Sequence, residues 1–366
     1  MKKKKIFKRI LIALLVFVIL VAGYFAYVFL SYKRIPDNQF LDTVAVGGYS
    51  YFREDVNALD TDKAYNILTY NIGFGAYTDD FSFFMDGGTE SWARSKEGLI
   101  ANVCEIAGVI NRSDPDFIML QEVDLNGTRT YHVDEVEIIN KFLRGYYYDS
   151  ALCYDSAFLW YPLINPSGAN ETAIVTYSAG RIASAVRRSL PIATDFSKFF
   201  DYDRCYSVSK VMLDNGKSLC LFNVHMSAYA DDPEIRSAQL SMLFNDMSME
   251  YKMGNYVICG GDFNHCLRDE VEPNEYTWAQ RFPREELPKG FSMAIDYAQP
   301  ESVEHDSCRN ANEPYNVNTT YTTTIDGFIV SDNIRVNYYT NAKWNYKYSD
   351  HDPVIMQFFF IKDKED

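Results

Sequence analysis

The chain has 366 residues, 47% of them hydrophobic, with 35 Lys+Arg against 50 Asp+Glu and a formal net charge of −15. That length and composition can bury one large core or two smaller ones. The acidic balance disfavours sequence-independent binding to polyanions unless a basic groove or a metal ion offsets it, and seven cysteines without a CxxC pair argue against a zinc cluster or a disulfide framework.

The first element is a basic segment, residues 1–9, carrying Lys2 to Lys5, Lys8 and Arg9. An uncharged run from Ile10 to Leu30 follows. At about 1.5 Å per residue it spans roughly 31 Å, the thickness of a bilayer core. The run is too long for a typical signal-peptide core and lacks a clear cleavage site, so a transmembrane helix over 10–30 is expected, with a cleaved signal as the alternative. Six cations precede the span and only Lys33 and Arg34 follow it closely. This bias predicts a single-pass protein with a cytoplasmic N-terminus and the rest extracellular. Residues 1–34 hold 8 cations and no acids, which leaves 27 cations against 50 acids, a formal −23, for the remainder.

Residues 31–63 read as a largely polar linker. Beyond it, short apolar runs alternate with helical patterns. Asn66–Asn71 reads as a strand; Leu99, Val103, Ile106 and Ile110 mark an amphipathic helix that stops at Asp114-Pro115-Asp116. Phe117–Glu122 reads as a strand, Val136–Leu143 as a short helix, and Thr172–Tyr177, Ser207–Leu213 and Ser218–His225 as further strands. A helix capped by Asp232-Pro233 runs to about Tyr251 with Leu240, Leu243, Phe244 and Met247 on its apolar face. Tyr256–Gly261 is a strand, and two more are expected at Thr324–Ser331 and Pro353–Phe360. Loops 144–171 and 266–320 carry no legible pattern. These elements predict an α/β fold in one domain over 64–362: a four-layer sandwich of two packed mixed β-sheets flanked by helices, plus the N-terminal transmembrane helix.

The stretch Gly260-Gly261-Asp262-Phe263-Asn264-His265 closes an apolar run with two glycines and then presents a carboxylate and a carboxamide. With one residue between them, period-2 geometry places Asp262 and Asn264 on one side; an ordinary turn is the competing reading. Polar residues close other apolar runs in the same way: Asn71, Glu122, His225, Asp326, Asp350 and His351. Rigid strand ends are where sites are built. Glu122, just past a four-residue apolar run, needs a partner or a metal if it is buried. Oxygen donors of this kind suit Mg²⁺, Mn²⁺ or Ca²⁺, and a His paired with an Asp can move protons. The chemistry within reach is hydrolysis of a phosphate ester, with Asp262 orienting or deprotonating water.

In this order, Asn71, Gln121-Glu122, Asn223-x-His225, Gly261-Asp262-Phe263-Asn264, Ile325-Asp326 and Ser349-Asp350-His351-x-Pro353 resemble the endonuclease/exonuclease/phosphatase superfamily, which includes deoxyribonuclease I, neutral sphingomyelinases and inositol polyphosphate 5-phosphatases. The resemblance spans about 64–360. It implies a metal-dependent phosphoesterase with Asn71, Glu122 and Asp350 at the metal, His225 at the scissile phosphate or near the leaving group, Asp262 activating water, Asn264 supporting the phosphate, and Asp326 or Asp350 orienting His351 as acid/base or phosphate stabiliser. Gly327 departs from the bulkier residue usual after the Ile-Asp pair, an expected local widening of the pocket.

Arg204 precedes a strand and is a candidate for holding a substrate phosphate, with a structural salt bridge the equal alternative. His265 follows Asn264 and reads first as a solvated turn residue, and second as a group supporting the site from behind. The aromatics at 146–148, 154, 158, 160 and 161 read first as a core edge, and second as a headgroup pocket or membrane-resting surface. A small-molecule or lipid-headgroup phosphoester is favoured as substrate and membrane contact is expected through the N-terminal helix. An extracellular nuclease acting on DNA or RNA is the first alternative, and a catalytically inactive binding module of the same fold the second. No protein partner is implied.

Overall fold

The computed structural model describes residues 2–48, 58–199, 201–227, 233–268 and 279–362. Helix α1 (Lys2–Ser31) is followed by two short strands, β1 (Gln39–Phe40) and β2 (Val44–Ala45). The main run is β3 (Ala64–Asn71), α2 (Lys96–Ser113), β4 (Phe117–Gly127), α3 (Glu135–Ile139), β5 (Tyr147–Asp155), β6 (Asn170–Ser178), β7 (Ile182–Ser189), β8 (Cys205–Met212) and β9 (Ser218–His225). It continues with α4 (Pro233–Lys252), β10 (Tyr256–Asp262), β11 (Phe291–Met293), β12 (Asp326–Ser331), β13 (Ile334–Asn341) and β14 (Val354–Phe360). Asp232, the expected helix cap, lies outside the described residues.

Two seven-stranded sheets form, ordered β1-β7-β8-β9-β10-β12-β11 and β13-β14-β3-β4-β6-β5-β2. Each is mixed: β9 and β10 are parallel, as are β3 and β4, while the other neighbours are antiparallel. The linker is woven into this frame rather than free of it. Gln39 and Phe40 pair with the β7 edge, and Val44 and Ala45 pair with the β5 edge, so residues 39–45 cap one edge of each sheet. Covering an edge in this way removes a template for unwanted strand pairing.

Strand periodicity sorts the residues into layers. Ile67, Phe117, Met119, Leu219, Leu221, Ile258, Phe328 and Val354 pack between the sheets. Their neighbours point outward: Leu68, Tyr70, Ile118 and Leu120 meet Leu99, Val103, Ile106 and Ile110 of α2. On the other side Cys220, Phe222, Val257 and Cys259 meet Leu240, Leu243, Phe244 and Met247 of α4. The result is the expected four-layer order of helix, sheet, sheet, helix. Strands β5, β7 and β13 had no distinct signal in the sequence. All seven cysteines are free thiols, and all but Cys104 are buried.

The inward columns change character toward one end. Thr69, Gln121, Asn223 and Gly260 replace the aliphatics, and Gln121 donates to Asn223 at 2.7 Å across the two sheets. One step further along the same columns stand Asn71, His225 and Asp262. The site is therefore the polar continuation of the intersheet core, with the satisfied Gln121–Asn223 pair as the transition.

Helix α1 is long and apolar enough over Lys3–Ser31 to cross a membrane, and fits a membrane anchor or a signal sequence.

Candidate active site

Parallel pairing of β9 with β10 brings His225 directly opposite Asp262, and antiparallel pairing of β10 with β12 brings Asp326 opposite Asp262 from the other side. Three candidate side chains thus come from adjacent strands at one register level. Asn71 arrives from the facing sheet, and its amide nitrogen donates to Asp262 Oδ2 at 3.0 Å and Glu122 Oε1 at 3.3 Å. Its own oxygen accepts the Gly73 N–H at 3.0 Å. Asn71 was expected at the metal; as it stands, its amide orients two carboxylates, and a ligand role would use the second lone pair of its oxygen.

Glu122 owes its place to a bulge. In a regular strand it would point away from Gln121, but the β4–β6 register shifts between Leu120 and Val123 and Glu122 takes a φ of +54°. That left-handed backbone re-aims the carboxylate into the site, at a local cost of about 1–3 kcal/mol that the surrounding pairing offsets. Glu122 Oε1 lies 3.7 Å from His225 Nε2. Burial raises the Glu122 carboxyl above its usual range and the Asp350 charge adds to this; burial raises Asp350 as well. Two buried hard carboxylates, one raised further by the other's charge, suit a divalent cation as a third member.

Asp262 sits between two imidazoles, 3.7 Å from His225 Nε2 and 3.9 Å from His351 Nε2. Burial and the neighbouring Asp326 push its carboxyl up to about 7, against the opposing influence of His351 and two hydrogen bonds. One of those bonds is the Asn264 N–H at 2.9 Å. Asn264 lies past the strand end with φ +49°, and its side chain donates to the Met226 carbonyl at 2.9 Å. The turn reading of this pair was correct for Asn264 and the strand reading for Asp262.

The two histidines are driven apart in protonation. Burial holds His225 well below the ordinary imidazole range, and the Arg204 and His351 charges reinforce it. For His351 burial acts in the same direction, but the Asp326 and Asp350 carboxylates override it and hold the ring well above that range. His351 Nδ1 lies 2.7 Å from Asp326 Oδ2, which Ser307 Oγ also meets at 2.7 Å. A neutral imidazole and an imidazolium flanking one carboxylate make an acid–base set at neutral pH. Asp262, Asp326 and His351 also present donor atoms within 4.8 Å of one another, a group able to hold a metal ion.

Arg204 is buried, with Nη1 at 2.8 Å from His225 Nε2 and 3.0 Å from the Met226 carbonyl, and Nη2 at 3.1 Å from Asp201. All nine residues singled out from the sequence (Asn71, Glu122, Arg204, His225, Asp262, Asn264, Asp326, Asp350 and His351) therefore converge on one end of the sandwich.

A model of the endonuclease/exonuclease/phosphatase family matches residues 68–351. The chain belongs to the endonuclease/exonuclease/phosphatase family. Family members are hydrolases acting on phosphoester bonds and typically depend on divalent metals. Solved structures share the fold of this endonuclease/exonuclease/phosphatase chain at low identity. A family protein from Beutenbergia cavernae is 14% identical with a TM-score of 0.55, covering 81% of this chain and 72% of its own. One from Bacteroides thetaiotaomicron is 18% identical at TM-score 0.54, covering 83% and 99%. A mannosyl-6-phosphatase from Bacteroides thetaiotaomicron is 16% identical at TM-score 0.52, covering 81% and 100%. No curated protein matches the chain in sequence.

Three side chains of this endonuclease/exonuclease/phosphatase site escaped the sequence reading. Tyr202 Oη lies 3.5 Å from Glu122 Oε2 and accepts from Arg129 at 3.1 Å. Arg129 itself is buried in a bidentate pair with Asp124. Ser307, which fixes Asp326, comes from an unpatterned loop. Only Tyr202 carried a signal, its place beside Arg204 just before β8.

Two expectations need correction. A Cβ on Gly327 would lie 2.8 Å from Leu267 Cδ1 and from Tyr339 Oη, so that space is already filled and the glycine does not widen the pocket. His265 is buried, with Nδ1 2.6 Å from the Phe263 carbonyl, rather than solvated.

Proposed function

We propose that the chain is a membrane-anchored, divalent-metal-dependent phosphoesterase. Residues 1–9 lie in the cytoplasm, 10–30 cross the membrane, 31–63 connect, and 64–362 form the catalytic domain on the extracytoplasmic side. The observation that carries this reading is Asp262, held 3.7 Å from His225 Nε2 and 3.9 Å from His351 Nε2 at the mouth of a family fold that cleaves phosphoesters.

Asp262 accepts a proton from the attacking water, while the Asn71 amide and the Asn264 N–H fix its two oxygens. Water adds to phosphorus and the ester P–O bond breaks. His351, kept cationic by Asp326, directs Nε2–H to a phosphate oxygen or to the leaving oxygen. Arg204 and His225 form the opposite wall, where a guanidinium stabilises the phosphate's charge. Glu122 and Asp350, with the Asn71 oxygen beside them, would hold the cation. Bound there, a hard divalent ion polarises the phosphoryl group and offsets the charge that develops on it. The −23 balance of the chain beyond residue 34 favours a small or lipid-borne phosphoester over nucleic acid.

The test is a panel of phosphomonoesters, phosphodiesters, phospholipids and DNA assayed with the purified full chain and Mg²⁺ or Mn²⁺. Hydrolysis of at least one, reduced about 10²–10⁴-fold by Asp262→Ala, is expected. An inert protein, or full activity in that variant, would overturn the reading. Added protease should digest the catalytic domain on sealed cells.

A further inference from the structure

The outer part of α1 is bound to the catalytic domain. Tyr24 Oη accepts from Trp160 N at 2.8 Å and donates to the Phe158 carbonyl at 3.3 Å, and Tyr27 Oη accepts from Phe158 N at 3.2 Å. Val28 is buried with Tyr154 and Leu159, and Phe29 packs on Phe199 with ring centroids 4.7 Å apart. These contacts fix the β5–β6 loop at the level of Tyr24–Tyr27, still inside the apolar run. A hydrocarbon core about 30 Å thick takes about 20 helical residues. Counted from Ile10, where the uncharged run begins, it ends near Phe29. Tyr24 and Tyr27 then lie in the last two turns of the span, with Trp160 and Tyr161 beside them toward the boundary where Trp and Tyr concentrate.

The loop is suited to that depth. From Ser156 to Asn170 it contains no charged residue. Trp160, Tyr161, Leu163 and Ile164 are 59%, 64%, 81% and 84% exposed. Four large apolar side chains within five positions mark a surface that binds something apolar. What lies beside them is fixed by the bonds to Tyr24 and Tyr27: the leaflet through which α1 emerges. The same loop also borders the active site. Tyr154, at its base, packs 4.8 Å from Tyr202, whose hydroxyl reaches Glu122, and Asn170, at its far end, accepts from Arg129 N.

We propose that loop 156–169 seats in the leaflet that α1 leaves, setting the active-site mouth at headgroup level, and that the substrate is the phosphoester of a membrane lipid. This rests on the phosphoesterase and anchor readings above. The reaction is hydrolysis alone: the water oxygen bonds phosphorus, the ester P–O bond breaks, and the proton passes to the released alcohol.

The full chain is reconstituted in phosphatidylcholine vesicles with acyl chains brominated near the glycerol end. Tryptophan quenching should be strong, and Trp160→Phe should remove about half of it or more, since Trp160 is the most exposed of the described tryptophans. Unchanged quenching in that variant would overturn the seating. In vesicles of phosphatidylcholine, phosphatidylglycerol and phosphatidic acid, at least one lipid should be hydrolysed. Leu163→Ser with Ile164→Ser, or Ile164→Asp alone, should slow this at least about five-fold through a misplaced mouth, while hydrolysis of soluble bis(p-nitrophenyl) phosphate stays within about two-fold. Turnover of the soluble ester with none of the lipids would overturn the substrate assignment. Failure on both substrates would instead sink the phosphoesterase reading, and the quenching result would still decide the seating.

Discussion

Arg204 Nη1 lies 2.8 Å from His225 Nε2, with both side chains buried. A guanidinium does not deprotonate, so Nε2 is the acceptor and the imidazole proton sits on Nδ1, which has no partner among the described residues. The pair thus sets one tautomer and adds to burial in lowering the His225 pKa. Arg204→Ala should release both controls. The His225 titration, followed by NMR, should move up toward ordinary imidazole values. Turnover should fall about 10- to 100-fold, the equivalent of a charge-assisted hydrogen bond worth about 1.5–3 kcal/mol. An unchanged His225 titration would show that the contact does not govern its protonation.

Asp326 does the opposite to the other histidine. Its carboxylate, 2.7 Å from His351 Nδ1, keeps that ring cationic in spite of burial. Asp326→Asn removes the charge and leaves the shape, so the His351 pKa should fall. The folded protein then loses the imidazolium as pH rises through that lowered value. Turnover at neutral pH should drop about 10²–10⁴-fold, and more steeply at pH 8 than at pH 6. A parallel pH profile in wild type and variant would sever the link between Asp326 and the proton on His351.

Glu122 and Asp350 raise a prediction about metal removal. Each carboxyl is destabilised by burial, and Asp350 worsens the position of Glu122. A divalent ion relieves both. Chelation should abolish turnover and Mg²⁺ should restore it. At about 100 times its Kd the ion should add about 2.7 kcal/mol to stability. In Glu122→Gln the Mg²⁺-dependent rise in Tm should vanish, while the metal-free variant melts at or above the wild type. A full Mg²⁺ shift in that variant would place the ion elsewhere, with the Asp262, Asp326 and His351 group the alternative.

Much of this site was legible because strand parity and strand-end position carry it. Asn71, His225, Asp262 and Asp326 each sit at the polar end of an apolar column, and a period of two is visible without coordinates. Glu122 could be named but not placed, since its orientation comes from a bulge that depends on the β6 partner. The role of Asn71 depended on which end of its amide faces the acids. Gly327 misled because the space beside it is filled by Leu267 and Tyr339, from distant segments. Strands β5, β7 and β13 were missed for a similar reason. Their alternate residues face neighbours that only the closed sandwich supplies, and tertiary burial overrides local pattern. Residues 39–45 read as linker because two-residue strands have no periodicity to detect.

Asp149 offers a test of the fold independent of catalysis. It lies on β5, fully buried between the sheets, where Ser209 Oγ donates to its Oδ2 at 2.6 Å while Oδ1 has no partner among the described residues. Burial pushes its carboxyl up from an ordinary value near 3.8 to about 7, against the lowering by Ser209. Between those two values the folded protein binds this proton more tightly than the unfolded chain does. The contribution to stability is therefore complete below about pH 3.8 and is lost as pH rises toward 7. Above that, an ionised carboxylate is held in the core with one hydrogen bond. Asp149→Asn keeps the volume and cannot ionise, and its amide oxygen still accepts from Ser209. Urea unfolding at pH 5 and pH 8 should show a smaller loss of stability between the two in the variant than in wild type, and at pH 8 the variant should be the more stable protein. Equal losses would mean that Asp149 is ionised in the folded state at both pH values, compensated by a group that the packing of β5 against β8 does not supply.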